Sequence, residues 1–131
     1  MKGYGYSIWL VPLNHVAIKK MYGMVHIPHV TVQTNLCSAP ELKLPKGEFR
    51  LNSFTSLVEL KSQYKHDPLC AWGWECQSPD VAIKHTPHMS CTYSQPPSGI
   101  TEPPGDLLAT MHLVDTTSTD PSEWTLVNMG K

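Results

Sequence analysis

A seven-residue motif occurs twice in this chain and constrains its fold more than any other feature of the sequence. His26–Val32 reads HIPHVTV, and His85–Cys91, 59 residues later, reads HTPHMSC. Both copies fit the pattern H-x-P-H-(apolar)-(hydroxyl)-(small apolar). We expect each copy to form a strand, because proline restricts the backbone at its start and apolar and polar side chains then alternate along it. The repeat therefore predicts two equivalent strands.

Strand geometry determines which of these side chains act together. Successive side chains of a strand point to opposite faces, so His29 and Thr31 share one face. His88 and Ser90 share a face in the second copy for the same reason. Two imidazoles and two hydroxyls presented from equivalent strands predict a symmetrical site that holds a phosphate between an acid and a base. Such a site needs no metal.

Composition limits the kinds of protein that this chain can be. With 131 residues, 40% of them hydrophobic, it suits a single compact domain covering residues 1–131. The formal charge is −1, and the nine lysines and one arginine are scattered. We therefore expect no long duplex nucleic acid as a partner, whereas a small nucleotide or an RNA end stays open. The short apolar runs and the absence of a signal-peptide pattern predict a soluble, cytoplasmic protein.

The four cysteines, Cys37, Cys70, Cys76 and Cys91, form no C-x-x-C pair. They lie in or beside apolar stretches, where buried free thiols are common, so we expect reduced thiols in the core. The spacing of Cys70 and Cys76 leaves a disulfide open, although an intracellular setting disfavours it.

The remaining pattern predicts mostly strands. Alternating apolar residues and turn signals predict strands over residues 3–12, 26–36, 48–52, 57–64, 69–77, 85–94, 107–115 and 123–127. One short helix is expected from Asn14, as N-cap, to Tyr22, with Gly23 as its stop. Residues 78–80 resemble a helix start with room for one or two turns, and the prolines of residues 95–105 predict a loop. The expected fold class is α+β, mostly antiparallel β, with few short helices.

The two motifs, HVTV at residues 29–32 and HMSC at residues 88–91, resemble the twin H-x-(T/S)-x motifs of the 2H phosphoesterase superfamily. The small 2′,3′-cyclic nucleotide phosphodiesterases are the most similar members. Their first strand resembles Tyr6–Pro12, their second motif is followed by a position similar to Tyr93, and their ending resembles Ser122–Val127. The resemblance covers about half of the chain. It departs in the proline-rich residues 95–105, where such proteins carry helix, so this chain resembles a compact member.

The resemblance implies a two-lobed fold, with two pseudo-symmetric antiparallel sheets around a V-shaped cleft and the motif strands side by side at its floor. It also implies a metal-independent, cofactor-free phosphodiesterase that acts as a monomer on a 2′,3′-cyclic phosphate or a 2′-linked phosphodiester. An RNA end, 2′,5′-oligoadenylate and a cyclic dinucleotide all stay open as substrates. His29 and His88 are expected to share the roles of acid and base, while Thr31 and Ser90 bind the phosphate oxygens.

Strand alternation adds candidates for substrate binding. Gln33 and Thr92 are expected on the face of the motif histidines. Tyr93 is expected on the opposite, packed face, with substrate binding as the alternative. Four further aromatic side chains are candidates to stack on a base, although packing is the alternative for each: Tyr6, Trp9, Trp72 and Trp74. His26 and His85 have either a supporting role at the rim of the cleft or simple exposure, and the default structural role is assigned to His15, His66 and His112.

Two other functions fit the repeat. The H-x-x-H spacing permits a zinc or copper site made by His26, His29, His85 and His88, although it leaves the two hydroxyl residues without a purpose. Alternatively, the same fold serves as a catalytically silent module that binds a nucleotide or an RNA end. Sensitivity to chelators separates the metal site from the other functions, and turnover separates an enzyme from a binding module.

Overall fold

The computed structural model describes residues 5–36, 46–60, 71–79, 83, 87–93, 96–117 and 121–127. Within these ranges the chain forms one α-helix, one short 3-10 helix at Pro121–Glu123 and eight strands. The helix, α1, covers His15–Tyr22. The strands are β1 (Tyr6–Pro12), β2 (Val30–Leu36), β3 (Phe49–Phe54), β4 (Val58–Leu60), β5 (Ala71–Pro79), β6 (His88–Tyr93), β7 (Leu107–Asp115) and β8 (Thr125–Leu126).

The helix α1 begins and ends where the sequence predicts. Asn14 occupies the N-cap position, and Gly23 ends the helix in the left-handed conformation, with φ of 66°. Glycine has no Cβ to penalise this conformation, so the chain reverses there at little cost. Lys19 and Lys20 lie in the last turn, where positive charge interacts favourably with the helix dipole.

Six of the strands form a hydrogen-bonded ring. The sheet runs in the order β1-β2-β6-β5-β3-β7, and β7 also pairs with β1, so the first and last strands of this path are neighbours. Each pairing is antiparallel. β4 and β8 extend the sheet by pairing with β5 and β7 respectively. A closed ring leaves its member strands without free edges, as in a small β-barrel.

The interior of the ring holds the main hydrophobic core. Each ring strand contributes a fully buried side chain to one contiguous cluster: Leu10, Val30, Leu51, Trp74, Met89 and Ala109. Helix α1 adds Ile18 to the same cluster, and Tyr22 packs against it. The hydroxyl of Tyr22 and the indole nitrogen of Trp74 donate to the carbonyls of Glu102 and Thr101. These two bonds attach the proline-rich loop to the core.

A second apolar cluster, which we call the outer cluster, lies on the outer face of β1 and β7. Its buried members are Trp9, Val11, Val114 and Trp124, and Ile27, Tyr93 and Leu126 pack against them. Trp9 and Val11 alternate with Leu10 of the interior, so β1 is buried on both faces. The 3-10 helix and β8 bring Trp124 onto this face. The outer cluster therefore joins the C-terminal segment to the first strand.

The structure confirms the predicted class, mostly antiparallel β with little helix. The two lobes implied by the resemblance are not confirmed, since the described strands belong to one sheet. The helix start predicted at residues 78–80 is wrong, because β5 continues to Pro79 and pairs there with Leu51 of β3. Pairing to a neighbouring strand thus overrides the local serine-proline signal.

Several other expectations concern particular side chains or segments. Cys76 and Cys91 are buried free thiols, as predicted, whereas Cys37 and Cys70 lie outside the described residues. The expectations for His66 and His85 also fall on residues that the structure does not describe. Among the described helices, none is long and apolar enough to cross a membrane.

Candidate functional site

The two copies of the motif lie side by side in the sheet. β2 and β6 are antiparallel neighbours, with Val30 opposite Met89. Continuing this register by one residue in each direction places His29 opposite Ser90, and Thr31 opposite His88. Val30 and Met89 point into the core, so the four polar residues lie on the outer face. Each histidine therefore faces the hydroxyl residue of the other copy, which is a pseudo-twofold arrangement.

His29 is held rigidly in the outer cluster. Its ring stacks on Trp9, with centroids 3.4 Å apart and planes at 4°, and Trp124 approaches edge-on at 6.3 Å. Only 6% of the residue is exposed. Its Nδ1 lies 2.6 Å from the carbonyl oxygen of Ile27. Because a carbonyl only accepts, Nδ1 is the donor, and the neutral ring carries its lone pair on Nε2. The chain therefore fixes the tautomer of His29.

The surroundings of His29 disfavour its charged form. Burial lowers its pKa well below 6.5, and the nearby charges of His26 and His88 lower it further, although the bond to Ile27 acts in the opposite direction. Desolvation penalises an imidazolium more than a neutral ring, which explains why burial is the largest cause. His29 is therefore neutral at physiological pH. Its Nε2 is available as a proton acceptor.

His88 occupies a different environment from His29. It is the first residue of β6 and is half-buried. Its backbone register places it opposite Glu75 of β5, and directly opposite residues of an antiparallel pair have Cβ atoms about 5 Å apart. A carboxylate thus lies beside the second motif. Sequence reasoning missed Glu75, because 13 residues separate it from His88 and only the β5–β6 register brings the two together.

The two hydroxyl residues also differ in exposure. Ser90 is 6% exposed, whereas Thr31 is half-buried. In the register Ser90 lies opposite Gly73, and a Cβ on Gly73 would overlap the carbonyl oxygen of Met89 and the Cα of Ser90. Glycine is therefore required at this close approach of β5 to β6. The lower exposure of Ser90 places its side chain in a more water-poor position than that of Thr31.

His26 connects the first motif to the second. Its Nε2 lies 2.8 Å from the carbonyl oxygen of Ser90, so Nε2 is the donor. The ring contacts Tyr93 at 4.9 Å and His29 at 5.8 Å between centroids, both edge-on. His26 is 2% exposed, so burial lowers its pKa to about 4. Among the described residues, its Nδ1 is the only buried side-chain nitrogen or oxygen without a hydrogen-bond partner.

Both motif strands contain an extra residue at the same place, and this overturns the expectations for Gln33 and Thr92. In β2, Thr31 pairs with Trp9 but Gln33 pairs with Ile8, so Val32 is extra. A bulge of this kind reverses the alternation beyond it. Gln33 therefore falls on the face of Ile8, which alternates with Trp9 along β1, and not on the face of the motif histidines.

The second bulge has the same effect in β6. Ser90 pairs with Gly73 but Thr92 pairs with Trp72, so Cys91 is extra. Thr92 then lies on the face of Trp72, away from the motif histidines, and Tyr93 returns to their face. The expectation that Tyr93 faces the opposite side is therefore wrong. Tyr93 packs against His26 and Trp124 in the outer cluster.

The aromatic candidates for base stacking separate according to burial. Trp9 is 1% exposed and Trp74 is fully buried, so neither offers an open face to a base. Trp9 instead supports His29, and Trp74 packs against Tyr22 in the interior. Tyr6 and Trp72 are half-buried. Of the predicted aromatic residues, Trp9 and Tyr93 are the two that the fold brings into the outer cluster beside the motif histidines.

The remaining described histidines, His15 of α1 and His112 of β7, lie outside the two motif strands. His112 of β7 pairs in register with Trp9 and contacts the hydroxyl of Thr110 at 2.7 Å through Nε2. Partial burial lowers its pKa, and the charge of His15 contributes to the same shift. Within the described residues no group of three or more His, Cys, Asp or Glu side chains is placed to hold a metal ion.

Comparison with models of known protein families, with curated proteins and with solved structures finds no match to this chain.

Proposed function

We propose that this protein is a metal-independent phosphodiesterase in which His29 and His88 act as base and acid. The observation that supports this proposal is the antiparallel pairing of Val30 with Met89, which sets the two motifs side by side on one face. Across that pair, the histidine of each copy faces the hydroxyl residue of the other. A phosphate between the strands then meets a base, an acid and two hydroxyl donors.

The different surroundings of the two histidines favour distinct roles. Burial lowers the pKa of His29 and keeps its ring neutral, with a lone pair fixed on Nε2, so this ring can act as the base. The charge of His88 contributes to that lowered pKa. With His29 as the base, we assign the role of the acid to His88, the other imidazole of the pair. The roles of the two rings follow from their burial and not from the motif, which is the same in both copies.

The proposed reaction is the hydrolysis of a 2′,3′-cyclic phosphate or of a 2′-linked phosphodiester. His29 Nε2 takes a proton from water, and the water oxygen forms a new bond to phosphorus. The bond from phosphorus to the ribose oxygen breaks, and His88 donates its proton to that oxygen. Thr31 and Ser90 donate hydrogen bonds to the non-bridging oxygens, where negative charge concentrates in the transition state. A more specific version of this proposal is that the substrate binds in a two-lobed cleft like that of the 2H phosphoesterases.

A panel of substrates tests the proposal directly. We would assay 2′,3′-cyclic mononucleotides, 2′,5′-oligoadenylate and cyclic dinucleotides in excess chelator, with wild type beside His29→Ala and His88→Ala. We expect turnover that survives chelation and falls by about 10³-fold in both variants. His15→Ala is the matched control, since His15 begins helix α1, outside the strands that carry the motifs. Activity that depends on added metal, or that survives both substitutions, would contradict the proposal.

A silent binding module is the second candidate, and the burial of His29 is the observation that favours it. With 6% of its surface exposed and its ring packed against Trp9 and Trp124, His29 offers little surface to a phosphate. Such a module binds the same nucleotides through Thr31 and Ser90 without turnover. Saturable binding of a panel member by calorimetry, with no product after long incubation, would favour this second candidate.

A further inference from the structure

We infer that His26 is a positioning residue of the proposed site, and that it acts by holding the backbone of Ser90. The contacts that His26 makes do not depend on the proposed function. The effect of His26 on catalysis rests on that proposed function. His26 contacts the first motif through the ring of His29 and the second motif through the carbonyl of Ser90. It therefore connects the two copies of the repeat at the point where they meet.

The junction that His26 bridges is the shortest one in the ring. β2 and β6 share a single register pair, Val30 with Met89, whereas β1 and β7 share seven. The Ser90 carbonyl lies one residue beyond that pair, and the donor that reaches it is the Nε2–H of a side chain. His26 thus adds one hydrogen bond beside a β2–β6 pairing that has a single register pair. Without it, β6 would be free to move away from β2 beside the hydroxyl that binds phosphate.

The unpaired Nδ1 of His26 supports a role beyond packing. A buried acceptor without a partner costs about 1–3 kcal/mol, and an apolar side chain of similar size avoids that cost. The position nevertheless holds a polar ring that is 2% exposed. The feature that an apolar ring cannot supply is the Nε2–H bond to Ser90. We therefore assign the function of His26 to this bond.

The consequence for the proposed reaction is geometric. His29 and His88 lie on the two strands that His26 joins, so a shift of β6 changes the distance between base and acid. A displacement of about 1 Å lowers the rate of an oriented reaction by roughly 100-fold. His26 does not contact the reacting atoms in this scheme. Its removal is therefore expected to lower kcat more than it raises KM.

Two amide substitutions test the inference with matched chemistry. The amide nitrogen of His26→Gln lies at about the position of Nε2 and keeps the donor to Ser90, whereas the shorter His26→Asn does not reach it. We expect kcat within about 3-fold of wild type for His26→Gln, and a loss of about 30-fold to 100-fold for His26→Asn with KM changed less than about 3-fold. Met24→Ala, which removes a buried side chain of the interior cluster, controls for a general loss of stability.

The possible outcomes separate this inference from the proposed function. Equal kcat for the Gln and Asn variants, or an equal loss in Met24→Ala, would overturn the role of His26. Absence of turnover in wild type would instead reject the proposed function. In that case we would follow inorganic phosphate by its effect on the Thr31 and Ser90 amide resonances, expecting His26→Asn to weaken binding and His26→Gln to preserve it.

A measurement on the wild-type protein covers the case in which His26→Asn does not fold. The tautomer of each histidine is read from the nitrogen resonances of its ring. We expect neutral His26 with its proton on Nε2, bonded to the Ser90 carbonyl and slow to exchange with solvent. A proton on Nδ1, or rapid exchange at Nε2, would overturn the inference independently of any activity.

Discussion

The two copies of the motif have nearly the same sequence but very different surroundings. In the first copy, His29 is stacked on Trp9, tied to the Ile27 carbonyl and almost fully buried. In the second copy, His88 is half-buried at the start of β6 and faces Glu75. The comparison shows that a repeated motif fixes the placement of two imidazoles but not the surroundings of each ring. The neighbouring elements determine these surroundings, since Trp9 of β1 and Trp124 of the C-terminal segment pack against His29 in the first copy.

The largest effect is expected from a comparison of two substrates, one whose leaving group needs a proton from the acid and one whose leaving group does not. With a ribose leaving group, His29→Ala and His88→Ala should each lose about 10³-fold in kcat/KM. With an aryl phosphodiester, whose phenolate leaves without a proton, His88→Ala should lose less than about 10-fold while His29→Ala keeps its full loss. Steady-state kinetics on the two substrates measures this difference. Equal losses on the aryl ester would mean that the acid and base roles are not divided as proposed.

Sequence reasoning predicted most elements and the shared face of the four motif residues because these depend on local pattern. Strand β7 was predicted with its observed bounds, and α1 ends at Gly23 as expected. The alternation of His29 with Thr31, and of His88 with Ser90, is a property of any strand. Proline, glycine and period-two alternation act over a few residues, so a single sequence is sufficient to find them.

Predictions that depended on pairing failed beyond the bulges. Alternation placed Gln33 and Thr92 with the motif histidines, but Val32 and Cys91 are extra residues in their strands and reverse the faces. Nothing in the local sequence marks a bulge there, because it is created by the register of the partner strand. The stacking of Trp9 on His29 and the nearness of Glu75 to His88 depend on long-range pairing in the same way.

The two hydroxyl residues give a second, smaller test of the asymmetry. Ser90 is almost buried and Thr31 is half-buried, and a hydrogen bond to developing charge is worth more where water is excluded. We expect Ser90→Ala to lower kcat by about 100-fold, and Thr31→Val by about 10-fold. Thr110→Val, at a hydroxyl on β7 outside the motif pair, should leave kcat unchanged. A larger loss for Thr31→Val than for Ser90→Ala would contradict the inference that burial strengthens the hydrogen bond from Ser90.

Acid should destabilise the protein through the first copy of the motif. The pKa of His26 is lowered to about 4 from its ordinary value of 6.5, so between these values the unfolded chain binds more protons than the folded one. Stability is therefore full above pH 6.5 and falls as the pH drops to about 4. The loss from His26 amounts to about 3 kcal/mol, and the lowered pKa of His29 adds in the same direction.

Urea denaturation between pH 4 and pH 7.5 measures this slope. The glutamine of His26→Gln cannot take up a proton. The free energy of unfolding of this variant should therefore depend less steeply on pH, by the contribution of His26. His112→Gln is a matched control, because His112 is less buried and its pKa is less affected by its surroundings. Curves of wild type and His26→Gln that stay parallel over the whole range would contradict the burial of a neutral His26.

The smallest expected effect concerns the ring that covers His29. Trp9→Phe keeps an aromatic ring in the outer cluster but removes part of the stacked surface, so we expect a loss of stability of about 1–2 kcal/mol. It also admits water beside His29, and lower desolvation raises the pKa of that ring toward its ordinary value. Denaturation gives the first quantity and titration of the His29 ring resonances gives the second. Trp72→Phe is the control, because Trp72 is a half-buried residue of the opposite face. It should change the stability and the pKa of His29 less than Trp9→Phe does. If Trp9→Phe leaves the titration of His29 unchanged, then contacts other than this stack keep the first histidine neutral, and Trp124 becomes the residue to vary next.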